Sequence, residues 1–182
     1  KMFGEDEEIF DVLDQVLKDT DLEKIDADSN GNSTSLPDGY YLSEVLSAKL
    51  TKTKKDGSPM VSMEFVIVED GCNAEKDENL NVNIVAIKGT KNKHIWKNYV
   101  LTDTKSVQRF VSDMLKFEDS TTQEPLLGKE YFTNSYLLCD ALECLIGMRI
   151  YIQVSTSEKD GKSNTFNNPI SWKRAAAIGL AV

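Results

Sequence analysis

The stretch Gly147–Ser155, GMRIYIQVS, alternates without a break: Met148, Ile150, Ile152 and Val154 take one side, Arg149, Tyr151, Gln153 and Ser155 the other. Successive side chains of a strand point to opposite faces, so a period of two specifies a β-strand with one apolar face. The strand leads into Ser157–Ser163, where Asp160-Gly161 suits a tight hairpin turn because both residues tolerate positive φ. Its expected partner runs from Asn164 to about Lys173 and contains Phe166 and Trp172. An earlier hairpin has the same form. A strand from about Tyr40 to Lys54 meets the turn Lys55-Asp56-Gly57-Ser58, and a return strand, Met60 to Val68, sets Met63, Phe65 and Ile67 against Ser62 and Glu64.

Between the hairpins lies Asn79–Thr102, NLNVNIVAIKGTKNKHIWKNYVLT, which has no acidic residue in an acidic chain. It reads as two further strands about a turn at Lys88–Lys93. Leu80, Val82 and Ile84 alternate with Asn81 and Asn83 as in a half-buried strand. After the turn, Ile95, Tyr99 and Leu101 share one face, and His94, Trp96 and Asn98 the other. With Lys88, Lys91, Lys93 and Lys97 nearby, this has the form of a basic hairpin that tracks a single nucleic-acid strand. The alternative is a solvated lysine turn with Trp96 in the core. Glu69–Glu78 is expected to be a polar excursion.

Two helices are expected next. Asp103 or Thr104 caps one that runs to about Phe117, with Val107, Phe110, Val111, Met114 and Leu115 on its buried face. Asn134–Leu145 forms the second, with Leu137, Leu138, Ala141, Leu142 and Leu145 inward. The whole is therefore expected to be mainly β with helices. Three strand segments, a helical region and a closing hairpin give the order of a five-stranded OB-fold-like barrel, with an extra hairpin in the middle and one or two helices between strands 3 and 4.

Three parts are expected: residues 1–35, a barrel domain over 36–174, and an apolar tail, 175–182, for which the sequence suggests no role. In the first, Glu5–Ile25 reads as an acidic amphipathic helix and Asp26–Ser35 as a flexible linker. The helix either packs on the barrel or in a subunit interface, or it acts as a docking arm. Residues 1–38 carry twelve acids against three lysines, and residues 39–182 carry eighteen of each. The net charge of −9 thus lies entirely in residues 1–38, and a pI of about 4.7 does not argue against a nucleic-acid partner for the rest.

The three cysteines, Cys72, Cys139 and Cys144, have no Cys-x-x-Cys spacing, and there is one histidine, so no zinc site is expected. Cys139 and Cys144 are expected in the core of a reduced protein. No apolar run reaches the ~20 residues of a membrane span. No nucleophile elbow, P-loop or zinc-protease motif occurs, His94 has no carboxylate in its own window, and no carboxylate cluster suits two metals. The expectation is a binding protein rather than an enzyme, with no cofactor and no metal.

The segment LPDGYYLSEVLSAKLTKTKKDGSPMVSMEFVIVEDG resembles the opening of small phage-encoded single-stranded DNA-binding proteins of replication and recombination modules. They share a Leu-Pro-x-Gly turn, a strand ending in lysines, a Gly-containing turn and a second strand closing on Gly. GMRIYIQVSTSEKDGKSNTFNNPISWK is similar to their final hairpin. The resemblance covers about residues 36–173 and lies in the order of elements. It implies an OB-fold domain that coats single-stranded DNA with little sequence preference, in the cytoplasm of the host. One departure stands out: bacterial single-strand binders usually end in an acidic, partner-recruiting tail, whereas this chain ends in AAAIGLAV and is acidic at the other end.

Single-strand binding needs cations for phosphates and aromatic faces for bases. The candidate residues are Trp96 with His94, Tyr151 with Arg149, and Phe166 or Trp172 near Lys173, together with Lys88, Lys91, Lys93 and Lys97. Lys52, Lys54 and Lys55 on the first hairpin, and Lys159 and Lys162 on the last, are candidate flanking walls. The expected partners are single-stranded DNA, replication or recombination proteins recruited through the acidic leader, and a second copy of the chain, with no membrane. The alternative is a protein-interaction or structural phage β-barrel that acts through its acidic N-terminal helix.

Overall fold

β1 (Gly39–Lys52) has a sheet neighbour along both of its edges, and the other strands are placed by it. The computed structural model describes residues 36–180, with Phe10 and Asp14 of the leader. Phe10 and Asp14 have helical backbone; the rest of the expected acidic helix, the linker and the last two residues lie outside the described residues. Leu36–Val182 forms one compact unit and Lys1–Ser35 another.

After β1 come β2 (Pro59–Ile67), β3 (Gly71–Lys76), β4 (Val82–Ile87) and β5 (His94–Val100). Helix α1 (Thr104–Met114), a 3-10 turn (Lys129–Phe132) and α2 (Ser135–Leu145) follow. The chain then forms β6 (Arg149–Lys159), β7 (Lys162–Ile170) and α3 (Trp172–Ala177). All the strand pairings are antiparallel. β1 pairs with β2 over Ser43–Lys52 and with β6 over Gly39–Glu44, and a bulge between Val45 and Ser47 follows directly on the residues that pair with both neighbours. β2 carries β5 on its other edge, and β6 carries β7. The first and last hairpins lie where the sequence places them, and in the second both Asp160 and Gly161 have positive φ.

The core lies on one face of this sheet. Val45, Met63, Phe65, Ile67 and Ile95 from β1, β2 and β5 meet Ile150, Ile152 and Val154 of β6. Phe110 and Met114 of α1 and Leu142 and Leu145 of α2 close over them. α1 begins where the sequence indicates: Asp103 accepts from the Ser106 N–H and Ser106 returns a bond to the Asp103 N–H, a reciprocal cap that stabilises the helix by about 1 kcal/mol.

Several expectations are corrected. Glu69–Glu78 contains a strand, β3, and β3 rather than β5 is the partner of β4, with Gly71 opposite Ile87 and Lys76 opposite Val82. The cause is Asp70, whose carboxylate accepts from the N–H groups of Thr90 (3.0 Å) and Lys91 (2.9 Å). Thr90 Oγ1 in turn accepts from Gly71 N. This pins the loop after β4 to the β2–β3 turn, and Asn92 N and Lys93 O bond to Ile67. The chain therefore leaves β4 and runs along the edge of β2. The alternation of Val82 and Ile84 is present but is not half-buried: Leu80 is 77 % exposed and Ile84 49 %. Cys139 and Cys144 are exposed on α2 rather than in the core.

The last strand stops at Ile170, short of Trp172. Ser171 caps α3 by accepting from Arg174 N, so Trp172 and Lys173 are helical. The apolar tail that the sequence left unexplained builds a second small core. Ala175 and Leu180 are buried there with Tyr151 and Ile170, against Tyr40, Leu42, Trp172 and Ile178.

Candidate nucleic-acid interface

Residues directly opposite in an antiparallel pair share a face. The registers Glu44↔Val66, Val66↔His94, Glu64↔Trp96 and Ser62↔Asn98 therefore put His94, Trp96 and Asn98 on the face of β5 that points away from the core. Trp96 is 59 % exposed, so it is not a core residue. Its ring lies 5.7 Å from that of His94 at an interplanar angle of 28°. His94 does have a carboxylate partner, reached across the sheet rather than along the chain: its Nδ1 lies 2.7 Å from Glu64 Oε1 on β2. Glu64 holds the imidazole, and the imidazole backs one side of the indole, which leaves the remaining indole surface open.

The basic residues of the first hairpin and of the loop between β4 and β5 flank this face at opposite ends. Lys88, Lys91 and Lys93 belong to the turn that enters β5 at His94. Lys52, Lys54 and Lys55 lie at the other end, where Met60 is opposite both Thr51 and Val100. Lys52, Lys54, Lys55, Lys88 and Lys91 are all exposed. Lys159 and Lys162 are exposed and face each other in register at the end of a different hairpin, β6–β7.

Three candidates, Tyr151, Trp172 and Lys97, do not belong to the open face. Tyr151 points away from the main core as its alternation implies, yet it is only 4 % exposed. Trp172 meets it edge-on at 5.8 Å, and burial pushes its phenol up to about 12. Its strand neighbour Arg149 is exposed and pairs with Glu44 at 3.4 Å. Lys97 points inward between Ile95 and Tyr99, and its side chain is 20 % exposed. Its ammonium donates to the Asn167 carbonyl and lies 3.9 Å from Asp113, and burial lowers its pKa.

These Lys97 contacts define a seam. β5 and β7 share no backbone ladder, but Lys97 bonds the Asn167 carbonyl and Asn167 Nδ2 donates to the Trp96 carbonyl at 3.3 Å. Phe166 and Asn168, on either side of Asn167, line one cleft with Asn98. Phe166 is 48 % exposed. Where α1 passes this seam a cleft of about 790 Å³ opens, and it contains two cations that the sequence reading missed, Lys105 and Arg109. Their spacing of four residues on the polar side of α1 was visible in the sequence; their approach to Phe166 was not.

Among the described residues no group of three His, Cys, Asp or Glu side chains could hold a metal ion, and no helix is long and apolar enough to cross a membrane. No family model and no curated protein sequence matches the chain.

Proposed function

We propose that residues 36–180 form an OB-type barrel that binds single-stranded DNA with little sequence preference. The observation that carries this reading is the exposed His94–Trp96 ring pair on the outer face of β5, with lysines at both ends of that face. An open indole presents a π-surface to any base, and dispersed lysines supply sequence-independent phosphate contacts. The strand order β5-β2-β1-β6-β7, with α1 and α2 between β5 and β6, supports the barrel part of the reading. In that arrangement β3–β4 is the extra hairpin and the seam is the line of closure. The proposed role involves no reaction, and the resemblance of residues 36–173 supports a part in phage DNA replication and recombination.

A protein-binding barrel is the second reading, favoured by the exposed Leu80, Ile84 and Val85 on the β3–β4 hairpin. Salt separates the two, because phosphate contacts release counterions and apolar contacts do not. The test is fluorescence anisotropy of labelled oligo-dT, with duplex of equal length as control, at low and moderate salt. Expected are preferential, salt-sensitive binding to the single strand and a loss of about 5- to 150-fold in Trp96→Ala, the value of one base stack. No binding at low salt, or undiminished binding by Trp96→Ala, refutes the reading.

A further inference from the structure

We propose that the cleft between α1 and the β5–β7 seam is a second nucleotide subsite, in which Lys105 and Arg109 hold a phosphate of the strand and Phe166 stacks the attached base. This rests on the reading of the β5 face as a single-strand site and extends its path past the edge of that face.

Lys97, Lys105, Arg109 and Lys116 line the cleft, against the single carboxylate of Asp113. Asp113 is already occupied: it accepts from Lys116 at 2.7 Å and from the Tyr99 hydroxyl at 2.8 Å, with Lys97 at 3.9 Å. Lys105 and Arg109 are both exposed and form no ion pair among the described residues. One helical turn apart, they stand on the same side of α1, and with Asp103 at the helix start as the carboxylate that acts on both, the four cations still leave the cleft with a net positive wall.

The second observation is Phe166. A phenyl ring 48 % exposed that lines the same cleft as two exposed cations offers the two chemistries that a base and its phosphate require. The registers Tyr151↔Ile170, Gln153↔Asn168 and Ser155↔Phe166 put Phe166 and Asn168 on the same outward side of the sheet as Trp96 and Asn98. The third is continuity. Asn167 bonds to Trp96 and Lys97 directly, so a strand that leaves the indole crosses the seam onto Phe166 without turning a corner. The volume of about 790 Å³ falls within the range of small-ligand sites.

The test compares the parent chain with Lys105→Gln/Arg109→Gln, Phe166→Ala and Trp96→Ala. It uses labelled oligo-dT of about 4 and about 16 nucleotides, the limits of what one OB fold covers. All the substituted side chains are exposed, and circular dichroism verifies the fold. Expected are equal binding of the short strand by parent, double variant and Phe166→Ala, and weaker binding of the long strand by both variants. In the double variant the salt slope for the long strand falls by about 0.7, one phosphate of a single strand, whereas in Phe166→Ala it does not change. Long-strand affinity and slope equal to the parent's in the double variant, with Trp96→Ala still impaired, overturn the subsite and leave the β5 face standing. A parent that binds neither strand overturns both.

Discussion

Tyr151→Ala separates two pictures of the same side chain. On the strand pattern alone Tyr151 is an outward, base-stacking aromatic, and its removal leaves the fold intact. In the structure it is 4 % exposed beneath α3, in contact with the ring of Trp172. A buried aromatic covers roughly 150–250 Å². At about 25 cal/mol per Å² that corresponds to about 4–6 kcal/mol, an upper bound because unfolded chains already bury part of this area. Truncations of core aromatics to alanine cost about 3–5 kcal/mol. For a folded unit of this size that lowers Tm by roughly 6–20 °C. Trp96→Ala, at an exposed site, should change stability by less than about 0.5 kcal/mol. Urea denaturation of the parent and the two single variants, followed by circular dichroism, makes the comparison. The reasoning is refuted if Tyr151→Ala keeps parental stability and loses oligo-dT affinity as Trp96→Ala does.

Gly179 has φ +91, and a Cβ there would lie 2.9 Å from Val82 Cγ1; Gly179→Ala should destabilise by about 1–3 kcal/mol, measured by the same denaturation. Asp70→Ala should speed amide exchange at Thr90 and Lys91 and lower Tm. Because the bonds from Thr90 and Lys91 hold the Asp70 carboxyl below its ordinary 3.8, the anchor is intact above that value and is lost as pH falls through the depressed pKa. Burial pushes Tyr41 and Tyr151 from 10.0 to about 12, so their contribution to stability is complete below pH 10 and declines as pH rises toward 12; alkaline unfolding in that window, followed by tyrosinate absorbance, checks it. Deleting residues 1–35, which carry most of the acidic surplus, should tighten oligo-dT binding, and equal or weaker affinity counts against an electrostatic role for the leader.

The elements most legible in the sequence are those whose signals are local. The alternation of β6, the Asp-Gly turns, the Asp103 cap and the inward placing of Phe110, Met114, Ala141, Leu142 and Leu145 need only a few neighbouring residues to express themselves, although Val107, expected on the buried face of α1, is exposed. Strand partners were less legible. Pairing β4 with β5 looked natural because they are consecutive, but their separation depends on Asp70, twenty residues before Thr90. Side-chain direction was readable where solvent access was not. Tyr151 points where its period places it, but the cover comes from an alanine-rich tail whose small residues let α3 lie close to the sheet and carry no period of their own. The lysines of the hairpins and Trp96 were found from composition. Lys97 shares the period of Ile95 and Tyr99 and so points inward, while the pairing of Glu64 with His94 and the approach of Asn167 to Trp96 rest on contacts 30 and 71 residues apart in sequence.

The position of β1 between β2 and β6 has a consequence for how the chain is made. β2 reaches β1 through a short turn, so that edge is satisfied as soon as the hairpin leaves the ribosome. The other edge, Gly39–Glu44, waits for β6; Glu44 and Arg149 are 105 residues apart. At about 5–20 residues per second the wait is roughly 5–20 s, during which a half-paired strand with Tyr41 and Val45 uncovered is exposed to other nascent chains. Closing so long a loop also costs entropy before β6 contributes any contact. Refolding of the full chain is therefore expected to be limited by arrival of the C-terminal hairpin, and overexpression is expected to be sensitive to temperature and to chaperones that occupy that edge.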